Sequence, residues 1–469
     1  NRKGINFWGT TTYITIDNNE VTNSTVVGIN IKGDHLSITN NDINNNATGI
    51  TIDKHVLNTE DVTIYHNSFT FNTGYALEVT PAVVMTVDAE ENYWGTVLAP
   101  EVVAKISGNA DYVPWCNSDF TICTYTLPVV NVTQGTSYAT IQEAVDAANA
   151  GDVIEASAGT YYENVVINKS LTLQTSSTPA IIDAGGTPSS SDITGINITA
   201  SDVTVDGMTV INARGTDSEG IRIGNNKRGI TVQNCTVYNC NNGIALTQTG
   251  SGATNLIHQN TVYDIFNDDG YSGCAIIAWC NYAPSNNDIE ITYNEVYNAA
   301  RYGIIIGTND PALISTNNTI SNNHIHDNNP TVTIGINTLY GQNNIISDNT
   351  MSGNNMGIGI DMYSDNNLIS GNYVTSGGDQ LGIALYNGCS GNTISGNTLD
   401  NNSTGITLQN SSNGNTIDNN TVSTNTWWGI YLTNASDNII SNNDLSVAVA
   451  NVNLSNSSNN TTIDGNTMT

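Results

Sequence analysis

Positive charge is scarce in this sequence, which has 11 lysine and arginine residues against 42 aspartate and glutamate residues. The formal net charge at pH 7 is −31. Proteins that bind nucleic acid neutralise its phosphates with clusters of lysine and arginine, so we expect no nucleic-acid partner. Anionic membrane surfaces are disfavoured for the same reason. An acidic polysaccharide would be repelled unless calcium ions bridged it to the protein.

Long apolar runs and Cys-x-x-Cys pairs are also missing. No segment approaches the roughly 20 apolar residues that span a bilayer, so we expect no membrane insertion. The seven cysteines give little support to a zinc or thioredoxin-like site. Cys116 and Cys123 flank a short polar loop, and we predict that they form a disulfide. The four central cysteines could form further disulfides or be buried free thiols: Cys235, Cys240, Cys274 and Cys280.

What the sequence does contain is a repeat of about 23 residues. Each unit opens with a short Gly-Ile-x-Leu/Ile segment, continues through a polar bend, and ends with an Asn-x-Ile-Ser-x-Asn-x-hydrophobic segment. The five most regular units begin at Gly335, Gly357, Gly382, Gly405 and Gly429. Apolar residues alternate over three to five positions in these segments, which is the period of a strand. A fixed period of this length predicts a solenoid of stacked coils.

One asparagine recurs more strictly than any other residue of the repeat. It follows the isoleucine of the second segment by three residues, and an apolar residue follows it by two. The positions in the later repeats are Asn260, Asn294, Asn323, Asn349, Asn372, Asn397, Asn420, Asn443 and Asn466. Earlier ones are Asn19, Asn41 and Asn67. Asparagine accepts left-handed backbone, and stacked carboxamides bond from coil to coil, so we predict an asparagine ladder.

These repeats resemble those of right-handed parallel β-helix proteins of the pectin-lyase-like superfamily, in particular the NosD-like, carbohydrate-binding-and-sugar-hydrolysis type. The resemblance covers nearly the whole chain. It implies an all-β fold of tandem right-handed parallel β-helices, with an internal asparagine ladder and one short capping α-helix near residues 140–150.

The repeat is interrupted once, which predicts two domains, 1–126 and 127–469. In the first, an Asn-Tyr-Trp-Gly segment and a later Tyr-x-Pro-Trp segment resemble the capped end of a β-helix. The second begins near a capping box, Thr140 to Glu143, and this region resembles the start of pectin-methylesterase-like and NosD-like domains. We find no cap before the first repeat or after Asn466. We therefore expect either a piece of a longer array or head-to-tail stacking of copies in a filament.

Enzymes of the superfamily place carboxylates and a basic residue on the outer face of one sheet. In the Gly-Ile-x-Leu segments, the outward positions offer only Arg222 and Asp361, many coils apart, whereas glycoside hydrolysis needs two carboxyls about 5–10 Å apart. The best cluster lies instead in longer inserted segments and consists of Asp264, Asp268, Asp269, Arg301 and Asp310, with His324, His326 and Asp327 nearby. A lyase would use Arg301 as base and hold Ca²⁺ with Asp264, Asp268 and Asp269. The alternative is a set of solvated turn carboxylates; no other cofactor is expected.

Tyrosines and glycosylation sequons complete the candidate features. Tyr238, Tyr263 and Tyr297 should stack on an outer face, either to stiffen the sheet or, with Trp279, Tyr386, Tyr431, Trp427 and Trp428, to bind sugars. Predicted glycan acceptors include Asn23, Asn46, Asn131, Asn168, Asn197, Asn317, Asn402, Asn410 and Asn434. Together with the cysteines, these sequons favour an extracellular or cell-surface protein.

Two functional hypotheses follow from these features. The first is an extracellular structural protein, a rigid acidic rod of a surface layer, adhesin or filament whose main partner is itself. The second is a polysaccharide-active enzyme, a lyase or glycoside hydrolase, or else a non-catalytic carbohydrate-binding module that contacts surface glycans.

Overall fold

The computed structural model describes residues 2–53, 61–97, 99–123, 127–176, 179–247, 252–281, 283, 285–328, 333–375, 380–447 and 449–469, without the side chains of 9–11 and 99–100. Contacts divide the chain into two compact units. Unit 1 comprises Asn1–Ala147, Ile154–Tyr162 and Ser176–Ala180, and unit 2 comprises Ala148–Val153, Glu163–Thr175 and Ile181–Thr469. The predicted boundary after residue 126 borders residues 124–126, which lie outside the described part of the chain, and it stays a prediction.

Most strands of unit 1 pair in parallel around a core rich in isoleucine, whereas Val129–Asn131 pairs antiparallel with Thr136–Tyr138 and with Asp152–Ala156. Its longest central strand, Val27–Thr39, pairs in parallel with Lys3–Asp17, Thr48–Asp53 and Val62–Tyr65. The other strands are Glu20–Thr22, Asp42–Asn44, Leu77–Val79, Val87–Asp88, Ile106–Ser107, Ala110–Asp111, Val129–Asn131, Thr136–Tyr138, most of Asp152–Ala156, and Gly159–Tyr161. Apolar residues alternate inward along these strands, and the large side chains of Trp94 and Trp115 are fully buried in the same core.

The described residues of unit 1 contain two short helices, α1 at Ala99–Val103 and α2 at Ile141–Ala147. Helix α2 confirms the predicted helix near residues 140–150. Its capping box is formed as expected, because the backbone nitrogen of Glu143 donates to Thr140 Oγ1 at 3.2 Å and the nitrogen of Thr140 donates to Glu143 Oε2 at 3.3 Å. Helix α1 was not predicted from the sequence, since it is five residues long and lies outside the repeat.

Unit 2 is a parallel β-solenoid with three sheets along its length, and each coil adds one strand to each sheet. Sheet 1 consists of Val165–Ile167, Thr194–Ile198, Glu219–Ile223, Asn242–Thr247, Cys274–Cys280, Tyr302–Thr308, Ile334–Leu339, Met356–Asp361, Leu381–Leu385, Thr404–Gln409, Trp428–Thr433 and Ala450–Ser455. Its strands begin with the Gly-Ile segments of the repeat.

Sheets 2 and 3 hold the segments before and after the recurrent asparagine. Sheet 2 consists in this unit of Leu171–Thr175, Thr204–Asp206, Thr231–Gln233, Asn255–His258, Ile289–Thr292, Thr319–Ser321, Ile345–Ser347, Leu368–Ser370, Thr393–Ser395, Thr416–Asp418, Ile439–Ser441 and Thr462–Asp464. Sheet 3 consists of most of Ala180–Asp183, then Thr209–Ile211, Thr236–Cys240, Thr261–Ile265, Glu295–Ala299, His324–His326, Thr350–Ser352, Tyr373–Thr375, Thr398–Asp400, Thr421–Ser423, Asp444–Ser446 and Thr467–Met468. A short pair, Ser315–Thr316 and Gly341–Gln342, completes the unit.

In the core of unit 2, register partners in successive coils carry the same type of side chain. Ile358, Ile383 and Ile406 are register partners in sheet 1, and each is fully buried. The glycine before each isoleucine is required by close approach of the next coil, since a Cβ on Gly382 would lie 2.4 Å from the carbonyl oxygen of Gly405. Equivalent residues therefore stack at the spacing of paired strands, about 4.8 Å, which fixes the register of the solenoid.

The asparagine ladder is present, as predicted. The side-chain oxygen of Asn397 accepts hydrogen bonds from the backbone and side-chain nitrogens of Asn372 at 3.0 and 2.9 Å. Its own side-chain nitrogen donates to the oxygen of Asn420 in the following coil at 2.9 Å. The same bonds join Asn19, Asn41, Asn67 and Asn92 in unit 1.

A second asparagine ladder runs beside the first and was not predicted. It lies five residues earlier in each coil and joins Asn318, Asn344, Asn367, Asn392, Asn415 and Asn438. The spacing Asn-x-x-x-x-Asn within the repeat was the available sign of it. Both ends of the sheet 2 strands from Thr319–Ser321 to Ile439–Ser441 are therefore held by buried carboxamides that bond along the axis.

The cysteines comprise one disulfide pair and five buried thiols. Cys116 and Cys123 form a disulfide bond in unit 1. Cys235, Cys240, Cys274, Cys280 and Cys389 are buried free thiols in the described part of unit 2. Burial raises the pKa of Cys235, Cys240, Cys274 and Cys389 to about 12, so these thiols act as small core residues rather than nucleophiles.

Candidate functional site

A groove of about 720 Å³ lies on the outer face of sheet 1 in unit 2. Its floor is a row of outward residues in direct register from strand to strand: Arg222, Ala245, Ile277 and Ile305. Outward residues of consecutive coils line up because every strand of the sheet is parallel and in register. We call this cavity the sheet 1 groove.

Aromatic and polar side chains from longer coils form the walls of the groove. Trp279 lies beside the floor, and its indole nitrogen donates to Asn281 Oδ1 at 3.0 Å. Tyr271 and Tyr302 also line the groove. The guanidinium of Arg301 lies 5.2 Å from the centre of the Tyr302 ring and donates to the carbonyl oxygen of Tyr271.

An arginine holds two carboxylates together at one end of the groove. Arg222 Nη2 donates to Glu219 Oε2 at 2.6 Å and to Asp192 Oδ1 at 2.7 Å, and Arg222 Nε donates to Glu219 Oε2 at 2.9 Å. Since both oxygens bond the same nitrogen, they lie no more than about 5.3 Å apart, a limit near the roughly 5–5.5 Å of retaining glycosidases and below the roughly 6.5–9.5 Å of inverting ones. The Asp217 carbonyl also accepts from Arg222, at 3.0 Å.

Glu219 has the most perturbed acidity of the carboxyl groups in the groove. Burial raises the pKa of Glu219, the nearby charge of Arg222 opposes this, and Asp192 and Asp217 reinforce it, so that its pKa is about 7. The side chain is only 13% exposed. A carboxylic acid that keeps its proton up to neutral pH is suited to transfer that proton to a leaving group.

Asp268 and Asp269, in the segment that precedes the groove strand Cys274–Cys280, each form hydrogen bonds. Asp268 forms two hydrogen bonds with Arg214, at 2.8 and 2.7 Å, and these bonds hold the pKa of Asp268 below its ordinary value. Asp269 accepts from the backbone nitrogens of Tyr271 and Ser272, each at 2.8 Å. Burial alone would raise the pKa of Asp269, but the hydrogen bonds from Ser272 and Tyr271 keep it low. Both carboxylates therefore fix the loop that carries Tyr271 into the groove.

The other predicted catalytic residues lie apart from one another. Asp264 is in a sheet 3 strand and accepts from Asn298 Nδ2 at 2.5 Å. Asp310 accepts from the backbone nitrogen of Ala312 at 2.9 Å in a turn after a sheet 1 strand. Of the five predicted residues, Arg301 lines the sheet 1 groove. The predicted lyase and calcium-binding roles of this set stay predictions.

Glu219 was missed from the sequence, although a sign of it was present. The outward positions predicted for each Gly-Ile-x-Leu segment are the residue between its two apolar positions and the residue two further on, and Glu219 is at neither. Glu219 lies immediately before the glycine, at a position occupied in neighbouring coils by Asn242, Cys274 and Tyr302. Asp192 is 30 residues earlier than Arg222, so its approach depends on the lengths of the coils between them.

Tyr238, Tyr263 and Tyr297 stack on the outer face of sheet 3, as the sequence predicts. Their ring centres are 4.8 Å apart at each step, and the stack continues to His326 at 5.2 Å. Burial raises the pKa of Tyr263 and Tyr297. Packing between coils is enough to explain why these rings stack so closely. Sugar binding by the three tyrosines stays a prediction.

The predicted glycan acceptors differ in accessibility. Asn46, Asn131 and Asn402 are buried, and Asn197 is half-buried beside the groove. The exposed acceptors are Asn23, Asn168, Asn317, Asn410 and Asn434. Glycosylation stays a prediction, and in the folded chain these five are the positions that a glycosyltransferase would reach.

Comparison with known proteins identifies the family. The family described as "Right handed beta helix region" matches residues 1–92 and 280–422, about half of the chain. The chain belongs to the right-handed β-helix family. The resemblance drawn from the asparagine ladder is thereby confirmed for the fold. No curated protein sequence matches this β-helix protein significantly.

Solved structures show the same fold at low sequence identity. The A-module of the mannuronan C-5 epimerase AlgE6 of Azotobacter vinelandii is 16% identical, with a TM-score of 0.51 over 70% of this chain and 94% of that one. PfbA, a surface adhesin of Streptococcus pneumoniae, is 15% identical, with a TM-score of 0.50 over 68% of this chain and 86% of that one. Among the described residues of this β-helix protein, no helix is long and apolar enough to cross a membrane.

Proposed function

We propose that this β-helix protein is a polysaccharide-active enzyme that holds a glycan segment in the sheet 1 groove and uses Glu219 as a general acid. The observation that carries the proposal is the buried Glu219 carboxyl group, which shares Arg222 with Asp192 and lines a groove with aromatic residues; burial, opposed in part by Arg222, raises its pKa to about 7. This is the second of the hypotheses drawn from the sequence, now with a different set of residues.

The lining of the groove suits a sugar chain. The ring of Trp279 and those of Tyr271 and Tyr302 offer flat apolar surfaces for the faces of pyranose rings, and their polar atoms can bond hydroxyl groups. The charged side chains that line the groove are two acids, Asp217 and Glu219, and two arginines, Arg222 and Arg301. With Glu219 protonated, Asp217 and the Asp192 carboxylate that pairs with Arg222 offset the two arginines; because the charges then balance locally while the whole chain is strongly acidic, a neutral polysaccharide is favoured over an acidic one.

The chemistry that fits this geometry is hydrolysis of a glycosidic bond. Protonated Glu219 would donate its proton to the departing sugar oxygen while the Asp192 carboxylate bonds the anomeric carbon; a water molecule, deprotonated by Glu219, would then displace Asp192 and release the second sugar. Arg222 acts as a positioning residue, because it bonds both carboxyl groups through one nitrogen. This arrangement needs no bound metal ion for the proton transfer.

An extracellular or cell-surface location accompanies this proposal. The disulfide between Cys116 and Cys123 favours an oxidising compartment. The structural neighbour PfbA is a surface adhesin, which is consistent with the same setting. Surface or environmental polysaccharides would then be the accessible substrates.

Glu219→Gln tests the proposal by removing the acid while keeping the shape of the side chain. We expect the wild-type protein to release reducing ends from at least one member of a panel of neutral and acidic polysaccharides. The variant should lose at least about 100-fold in rate, as general acid catalysts typically do, and the wild-type rate should fall as pH rises above about 7. Glu290→Gln, at an exposed position of the same unit, is the matched control and should keep full activity.

Two outcomes would contradict the proposal. If the protein bound a glycan without cleaving it, it would be a carbohydrate-binding module, and Glu219 would have no catalytic role. Neither binding nor cleavage across the whole panel would remove the carbohydrate function of the groove.

A second candidate function is the acidic rod, in which stacked coils serve as a scaffold. The observation that favours it is the unbroken bonding of both asparagine ladders through the regular coils, from Asn318 to Asn438 in one and from Asn260 to Asn443 in the other. If copies assemble head to tail, negative-stain electron microscopy at micromolar concentration should show filaments one solenoid wide. Dispersed single particles under all salt conditions would exclude the filament.

A further inference from the structure

Two histidines and a glutamate meet on the outer face of sheet 3, in adjacent coils of unit 2. Glu295 and His324 are register partners in neighbouring strands, and His326 lies two residues along the strand from His324, on the same face. The Glu295 carboxylate and one ring nitrogen of each histidine lie within 4.8 Å of one another. This face is separate from sheet 1 and its groove, so the cluster has no part in the proposed hydrolysis.

The hydrogen bonds of His326 fix which ring nitrogen faces the cluster. His326 Nδ1 lies 2.9 Å from Asp327 Oδ2, and a carboxylate only accepts, so this nitrogen carries the proton. In the neutral ring, Nε2 then presents a lone pair. That nitrogen is buried, has no hydrogen-bond partner, and lies 3.5 Å from Glu295 Oε1. A lone pair facing a carboxylate oxygen is repulsive unless a cation lies between them.

His324 supplies the third donor. Its ring stacks on that of His326, with ring centres 4.2 Å apart, so the two imidazoles reach the cluster from the same face of one strand. A neutral imidazole is the form that binds metal ions.

We propose that Glu295, His324 and His326 form a binding site for a divalent transition-metal ion such as Zn²⁺. The ligand set of two imidazole nitrogens and one carboxylate oxygen is typical of zinc, with water in the remaining position. At Zn–N and Zn–O distances of about 2.0–2.2 Å, the ligand atoms of a tetrahedral ion lie about 3.4 Å apart. The separation of His326 and Glu295 is already of this size, and side-chain rotation of the exposed His324 brings in the third atom.

Asp327 completes the site as its outer partner. A histidine that binds zinc commonly donates its other ring nitrogen to a carboxylate, which orients the ring and raises its basicity. The Asp327–His326 bond has this form. An ion bound by Glu295 of one coil and by the two histidines of the next would cross-link the two coils and stabilise the folded chain.

The other histidine-containing cluster of the described residues does not qualify in the same way. His66, Glu91 and Cys123 also come within 4.8 Å, but the Cys123 sulfur is bonded to Cys116 and is therefore not available as a thiolate ligand.

Titration of the full chain with Zn²⁺ tests the site, by calorimetry in excess Mg²⁺, which occupies sites made only of oxygen atoms. We expect one Zn²⁺ per chain to bind and to raise the melting temperature. His324→Gln and His326→Gln should each weaken binding at least about tenfold, and Asp327→Asn should weaken it about tenfold, as loss of an outer partner typically does. His258→Gln changes a histidine of sheet 2 that bonds Thr292 instead, and it should bind as the wild type does.

Equal Zn²⁺ affinity in the wild type and in the two cluster histidine variants would overturn the proposal. So would absence of Zn²⁺ binding, in which case NMR titration should show His326 as an imidazolium that donates to both Asp327 and Glu295. Circular dichroism of each variant shows that the solenoid is folded, so a loss of binding can be assigned to the missing ligand.

Discussion

Replacing Asn397 by alanine is expected to lower the free energy of unfolding of unit 2 by about 3–5 kcal/mol. Asn397 is 1% exposed, and its side chain bonds the coil before it and the coil after it. Its oxygen accepts from two nitrogens of Asn372, and its nitrogen donates to the carbonyl oxygen of Ile369 at 2.9 Å and to Asn420 Oδ1 at 2.9 Å. Alanine leaves the backbone nitrogen of Asn372 buried without its partner, at about 1–3 kcal/mol. It also removes one hydrogen bond each from the Asn372 side-chain nitrogen, the Ile369 carbonyl and Asn420 Oδ1, at about 1 kcal/mol each.

Urea denaturation monitored by circular dichroism measures this loss. Asn459→Ala is the matched control, because Asn459 is an exposed asparagine of the same unit outside both ladders; we expect its free energy of unfolding to stay within about 0.5 kcal/mol of the wild type. Neither Asn397 nor Asn459 has a positive φ, so alanine adds no backbone strain at either position. A loss at Asn397 no larger than that at Asn459 would mean that the ladder contributes nothing to stability.

The solenoid could be predicted from the sequence because its core repeats the same contact. Ile383 lies over Ile358 and under Ile406, so a single residue type at a fixed spacing specifies burial, register and strand direction together. The ladder asparagines obey the same rule. The second ladder also repeats at this spacing, as at Asn367 and Asn392. It could have been predicted from the asparagine that lies five residues before each asparagine of the first ladder.

The groove could not be predicted in the same way, because its contacts are between coils of unequal length. Arg214 meets Asp268 across 54 residues, and Arg222 meets Asp192 across 30. No fixed spacing links such pairs. The sequence did place acidic residues near the inserted loop, but the folded chain uses Asp268 and Asp269 to hold the loop and exposes a different carboxyl group, Glu219, to the groove.

A glutamate buried at a cost to folding is a mark of a functional site, and this leads to the second large prediction. Burial raises the pKa of Glu219 to about 7 from an ordinary value of 4.5. Between these values, the folded state holds a proton that the unfolded state releases. The stability contributed by this group is therefore fully present below about pH 4.5 and is lost as pH rises through about 7.

Glu219→Gln should remove this dependence, since glutamine is neutral at every pH and still offers Arg222 an oxygen. We expect the wild type to lose about 2–3 kcal/mol relative to the variant between pH 5 and pH 8. Measuring both proteins by urea denaturation at both pH values cancels the other titrating groups. Glu290→Gln, at an exposed position, should have the same free energy of unfolding as the wild type at both pH values. A difference between wild type and Glu219→Gln that does not change with pH would show that the ion pair with Arg222 offsets the burial of Glu219, and the case for a neutral acid in the groove would fail with it.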